Sequence, residues 1–311
     1  MIATITLNSA IDKVFILPAR VIEKLNRVEK GIVIPGGGGI NSAYTFHVLG
    51  VEVVVMGFIG GEAGRFTEDE IRKTQISTNF TYIGGQTRTD YIILNKYSKV
   101  LAQINEKGPW IKPKEMESFI ESFKRVLSRC EMLLLSGSLP QGVGTDFYAR
   151  LINMAHEKNV RTVLKASGEA LSYGIESGPY MVQPNIKGVD SLMGIKIIDV
   201  RKRVEAARKI LEKGVQIVVM NGDGYYLVVT PERIWEVGLP KIEIINSVGM
   251  GDAFIGGMMY ILKDREDLPE AMRYGGAASI SSALQVEAKV ENKEQMEHFF
   301  DKIEVKELNL S

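Results

Sequence analysis

The chain has 311 residues, enough to bury a large core as one domain or two smaller ones. Its 38 basic and 38 acidic residues cancel, which argues against the broad electrostatic footprint of a nucleic-acid or membrane-surface binder. A single cysteine, Cys130, in an apolar context that predicts a buried thiol, excludes an internal disulfide framework; with no apolar run of membrane-spanning length and no basic leader, the expectation is a cytoplasmic protein in a reducing compartment.

Residues 1–7 read as a strand of apolar residues and threonines, followed by a turn that carries Asp12. An acid just beyond the carboxyl end of a strand faces the ligand in open α/β sheets; a surface turn is the other reading of Asp12. Short apolar runs at 14–17, 28–34, 91–94 and 99–104 predict a small antiparallel sheet made of segments distant in sequence. Among them, Pro35-Gly36-Gly37-Gly38-Gly39-Ile40-Asn41 opens a helix over 41–49. Four consecutive glycines cost too much unfolded-chain entropy for a casual connector and let a ligand approach the backbone, with Asn41 pointing into that approach; a flexible linker is the alternative.

From residue 51 onward strands and helices alternate. Strands are predicted at 51–57, 78–83, 132–135, 161–165, 180–183, 217–220 and 225–229, and helices at 64–74, 114–127, 145–157, 199–213, 253–262, 268–282 and 293–300. This alternation predicts an α/β fold with a mainly parallel central sheet flanked by helices. His47, His156 and His298 lie far apart and without paired spacing, so a histidine metal site or a Ser-His-Asp triad has little support and each reads as an ordinary helix residue. No internal repeat or interdomain linker is visible, so one domain over 1–311 is expected, with the small sheet drawn from about 8–35 and 84–106.

The densest chemistry lies in Asn246-Ser247-Val248-Gly249-Met250-Gly251-Asp252-Ala253-Phe254. Glycines flanking one residue let the N–H groups of Gly249, Met250 and Gly251 converge on an anion, and the following helix aims its positive end there. Asp252 is then placed to take a proton from a substrate hydroxyl while the N–H groups hold a transferring phosphoryl group. The other role for Asp252 is an N-cap behind a glycine turn.

In these motifs, in their order, and in Thr6-Leu7-Asn8-Ser9-Ala10-Ile11-Asp12, Asn26-Arg27-Val28, Thr87-Arg88, Asn105-Glu106-Lys107-Gly108-Pro109, the run 135–140, Ser167-Gly168-Glu169 and Pro184-Asn185, the chain resembles the ribokinase-like sugar kinases. The likeness is to the phosphofructokinase B branch, which contains 1-phosphofructokinase, tagatose-6-phosphate kinase and the minor 6-phosphofructokinase. The resemblance implies a large α/β body with a small β-sheet lid, and often a dimer joined through the lids. It implies ATP and Mg²⁺ as cofactors, a sugar phosphate as partner, and Asp252 as catalytic base. By the same resemblance Asp12, Gly37, Gly38 and Asn41 hold sugar hydroxyls, and Asn105 and Ser138 join the substrate side. Arg27 and Arg88 grip a phosphate already on the sugar, Asn185 organises Mg²⁺ through water, and Gly222 lies against the nucleotide.

Departures from the family pattern fall mostly on the nucleotide side. Lys165 replaces an aspartate, Gln183 a lysine, Gly188 a glutamate and Met220 a hydroxyl residue; Gly38 stands where many relatives have lysine, and Ile92 where a lysine is often found after Thr-Arg. The expected activity is phosphorylation of a ketohexose monophosphate, with fructose 1-phosphate to fructose 1,6-bisphosphate preferred and fructose 6-phosphate and tagatose 6-phosphate close. The alternatives are a kinase of an unphosphorylated sugar or nucleoside, and a weakly active or inactive paralogue that senses a sugar phosphate.

Overall fold

The computed structural model of the protein describes residues 1–17, 25–95, 100–185, 189 and 199–310. In chain order the strands are β1 (Ile2–Thr6), β2 (Ala10–Leu17), β3 (Lys30–Gly36), β4 (Val53–Ile59), β5 (Ser77–Tyr82), β6 (Arg88–Asn95), β7 (Val100–Asn105), β8 (Met132–Ser136), β9 (Arg161–Lys165), β10 (Met181–Val182), β11 (Ile217–Asn221), β12 (Tyr225–Val229), β13 (Ile234–Gly238) and β14 (Glu304–Glu307). The helices are α1 (Gly38–Val48), α2 (Gly61–Lys73), α3 (Pro113–Leu127), α4 (Phe147–His156), α5 (Gly168–Glu176), α6 (Val200–Leu211), α7 (Met250–Leu262), α8 (Leu268–Ala283) and α9 (Lys293–Phe300). Among the described residues, ten strands form one sheet in the order β14-β13-β12-β11-β10-β9-β8-β1-β4-β5, and four form a second, β3-β2-β6-β7.

The large sheet is parallel from β5 to β11 and antiparallel from β11 to β14. Its central strands are apolar on both sides because helices cover both faces. Alternate residues divide between two cores: Ala3, Val54, Leu133 and Leu135 pack with Phe119 of α3 and Leu151 of α4, while Ile2, Val53, Met132 and Leu134 pack with Phe46 of α1 and Phe254 and Met258 of α7. That period-two division is what the pleat of a strand imposes. Among the described residues no helix is long and apolar enough to cross a membrane.

The small sheet departs from expectation in two ways. Its outer pairs are antiparallel, but β2 and β6 pair in parallel, with Ala10 opposite Arg88 and Asp12 opposite Asp90. The reason is topological: β1 and β5 run the same way in the large sheet, and each chain continues beyond its carboxyl end into β2 and β6, which therefore also run the same way. Asp12 is accordingly not a turn residue beyond β1 but lies within β2.

Other differences are local. Helix α5 went unpredicted because Gly168 and Gly174 mask it, and β14 because its residues are polar at a sheet edge. Helix α7 begins at Met250, three residues before the predicted start, since the glycines take up helical geometry once Gly249 has turned the chain. Cys130 is half-buried rather than buried; its Sγ donates to Val126 O at 3.2 Å, and burial pushes the thiol up to about 11.

Candidate active site

The carboxyl ends of β1, β8, β9, β10 and β11 converge on the N-terminus of α7. Gly249 turns the chain with φ +85°, and a Cβ there would lie 2.7 Å from Ala288 O, so both conformation and space require glycine. Asn246 braces the turn, donating through Nδ2 to Val286 O at 2.9 Å and accepting at Oδ1 from Val248 N at 3.0 Å. Met250, Gly251 and Asp252 open the helix, where the first amides have no intrahelical acceptor and the helix dipole is positive. The capping position is held by Gly249, so Asp252 is not the N-cap; its carboxylate is engaged elsewhere.

On one side it meets α1. Asn41 Nδ2 donates to Asp252 Oδ2 at 2.9 Å, and Ser42 Oγ donates to Asp252 O at 2.9 Å, locking the two helix starts together. The glycine run is packed hard against this pair: a Cβ on Gly38 would lie 2.2 Å from Ser136 Oγ and 2.7 Å from Asp252 Oδ1, and one on Gly36 2.1 Å from Asp12 Oδ1. Ser136 Oγ is buried without a partner, a polar group turned toward the space over Gly38.

Asp12 is 6% exposed. Burial, reinforced by the neighbouring Asp90 and Asp252 and opposed by Arg88, pushes its carboxyl up to about 7. Burial likewise raises Asp90 to about 6, against the pull of Arg88. Arg88 is itself fixed, with Nη1 on Asp90 Oδ1 at 2.7 Å and on Glu106 O at 3.0 Å, and Nε on Asn8 O at 3.1 Å. Together with Lys107 and Lys112 it lines a groove of about 560 Å³. Asn8 Nδ2 ties Ser138 Oγ and Lys107 O to the same corner, both at 3.1 Å. Arg27 and Asn105 lie exposed on the small-sheet segments.

The other side of Asp252 faces the ends of β9 to β11. Lys165 Nζ forms an ion pair with Asp252 Oδ1. Gln183 Nε2 donates to Asn221 Oδ1 at 3.0 Å, and both amides lie under Gly251, 3.3 and 3.5 Å from where its Cβ would be. Gly222 sits against the ring of Tyr225, whose hydroxyl accepts from Arg203. Asn185 is exposed just past β10, its backbone N–H donating to Ala166 O at 3.3 Å. Gly188 lies outside the described residues. Among those residues no group of three or more His, Cys, Asp or Glu side chains could hold a metal ion.

Asp90 escaped the reading of the residues, as did the contact of Gln183 with Asn221. Arg88 and Asp90 stand two apart in one strand and so share a face, a signal that was available for Asp90. Lys165 was expected to face nucleotide phosphates; its contact with Asp252 depends on strand order and had no local signal.

A family model described as pfkB family carbohydrate kinase matches residues 6–293. The tagatose-6-phosphate kinase of Staphylococcus epidermidis is 30% identical over 99% of this chain and 100% of its own length. The 1-phosphofructokinase of Bacillus subtilis is 30% identical over 92% of this chain and 94% of its own. A crystal structure of a possible 1-phosphofructokinase from Thermotoga maritima superposes with TM-score 0.91 at 28% identity, covering 99% of this chain and all of that one.

Proposed function

The chain belongs to the pfkB family of carbohydrate kinases, and from that premise we propose that it transfers the γ-phosphoryl group of MgATP to a hydroxyl of a ketohexose monophosphate. The observation that carries this reading is the Asp252 carboxylate, held by Asn41 beside the free amides of the α7 N-terminus. Asp252 takes the proton of the acceptor hydroxyl as its oxygen bonds to the γ-phosphorus; the bond to the β-phosphate oxygen breaks, and ADP leaves with the electron pair. The N–H groups of Gly249, Met250 and Gly251 receive the charge on the phosphoryl oxygens.

Asp12, Asn41 and the backbone of Gly37 and Gly38 hold the sugar hydroxyls, with Ser138 and Asn105 at the edge of the site. Arg88, supported by Arg27, grips the sugar's own phosphate, for which a guanidinium fork is suited. Magnesium bound with the nucleotide would neutralise charge on its phosphates, Asn185 would help to hold it through water, and Gly222 would lie against the nucleotide. The small sheet serves as a lid, and its exposed Val28, Val33 and Ile104 supply an apolar surface through which two copies join.

The preferred substrate is fructose 1-phosphate, on the motifs Gly39-Ile40-Asn41 and Asn26-Arg27-Val28, with tagatose 6-phosphate and fructose 6-phosphate next. A second reading, a sugar-phosphate sensor, draws on Lys165 sitting on Asp252. An ADP-release assay against the three phosphates and free fructose separates them: turnover that prefers one phosphate supports the kinase, whereas a ligand-induced rise in Tm without turnover supports the sensor.

A further inference from the structure

Both oxygens of the Asp252 carboxylate are engaged, one by Asn41 and one by Lys165. Asn41 comes from the tightly packed glycine side and donates through a short, stiff amide. Lys165 reaches in from the end of β9 on a flexible stem, with its side chain 27% exposed. A base whose lone pairs are covered by an ammonium cannot readily approach a substrate hydroxyl, so Lys165 must leave for Asp252 to work.

The structure also offers a place for it to go. Strands β9 and β10 pair with Leu164 opposite Val182, and the Gln183 N–H donates to Leu164 O at 2.9 Å, so Lys165 and Gln183 are the next residues of adjacent strands and emerge on the same face. Gln183 is 2% exposed, and its Nε2 is committed to Asn221, which leaves Oε1 as a buried acceptor without a donor. Such an orphan costs free energy in the state that leaves it unpaired, so a state in which a donor reaches it is favoured by that amount. It lies beside Gly251, under the amides that would receive the phosphoryl group.

We propose that Lys165 is a mobile cation with two stations: it covers Asp252 when nucleotide is absent, and moves to the nucleotide's terminal phosphate, seated on Gln183 Oε1, when nucleotide binds. The movement uncovers the base only when a phosphoryl donor is present and adds a positive charge where the transferring group develops its own. This rests on the kinase reading given above. Its thermodynamic signature is linkage: Asp252 and the nucleotide compete for one ammonium, so weakening either contact strengthens the other.

The test is calorimetric titration with the Mg²⁺ complex of a non-hydrolysable ATP analogue, alongside the ADP-release assay. Lys165→Met should lower analogue affinity at least tenfold and kcat about a hundredfold, with the KM for sugar phosphate within twofold. Lys165→Arg, which keeps the charge, should recover analogue affinity to within about threefold, and Gln183→Leu should cost about threefold. Asp252→Asn removes the rival and should tighten analogue binding about fivefold, a gain that disappears in the Lys165→Met/Asp252→Asn double variant. Unchanged affinity in Lys165→Met, equal losses in the Met and Arg variants, or a gain that persists in the double variant overturns the proposal. Absence of turnover by the unsubstituted protein on every sugar removes the kinase reading separately, while the titrations still decide whether Lys165 meets the nucleotide.

Discussion

On the α1 side of Asp252, Asp12, Asn41 and Ser136 are almost wholly buried against glycines whose missing side chains make the room. On the β9 to β11 side, Asn185 and Asn221 are exposed, and the charge comes from the partly exposed Lys165. The first side is a rigid cradle suited to fix a small polyhydroxylated ligand; the second is an open shelf suited to a large ligand that brings its own metal and charge. A cradle tolerates little change in volume, whereas a shelf absorbs substitution through side-chain movement.

The substitution with the largest expected effect acts where the two sides meet. Asp252→Asn should lower kcat about a thousandfold while sugar-phosphate binding, followed by calorimetry, stays nearly unchanged. A large residual rate would remove the base assignment. Next, Gly38→Ala should cost about a hundredfold in kcat/KM, since the added methyl meets Ser136 Oγ and Asp252 within 3 Å. A mild effect there would break the picture of a rigid cradle.

Arg88→Ala should raise the KM for phosphorylated sugars roughly thirtyfold and leave plain sugars little changed, in keeping with the loss of a charge-assisted pair. Equal losses on both would show that Arg88 serves only to neutralise Asp90, its buried ion-pair partner.

The pH dependence of sugar binding tests the cradle from another direction. With its carboxyl raised to about 7, Asp12 is mainly protonated at pH 6 and ionised at pH 8. Only the ionised form accepts hydrogen bonds at both oxygens, so KM for the sugar phosphate should fall about tenfold across that range. Asp12→Asn should flatten the profile. The stability effect has the opposite sense: a raised folded-state value stabilises fully below pH 3.8 and is lost as pH rises through 7, so the Tm advantage of Asp12→Asn should widen from pH 5 to pH 8. The smallest effect belongs to the shelf, where Gly222→Ala should raise the KM for ATP only about threefold, because the Tyr225 ring it meets can swing away.

The α/β class, the apolar strand runs and the placing of Gly249 to Asp252 at a helix start were legible in the residues because each rests on local rules: continuous apolar runs bounded by turn residues, glycine's reach into positive φ, and helix-start chemistry. The glycine run 36–39 was legible for the same reason, as a backbone kept bare for close approach. Tertiary structure alone decided what those elements face. Asp12 and Asp90 stand side by side because two crossovers leave parallel strands in one direction, and Lys165 reaches Asp252 across 87 residues because β9 lies next to β8 in the sheet. Strand order is set by the packing of the whole chain, so no window of sequence around Lys165 or Asp12 carries that information.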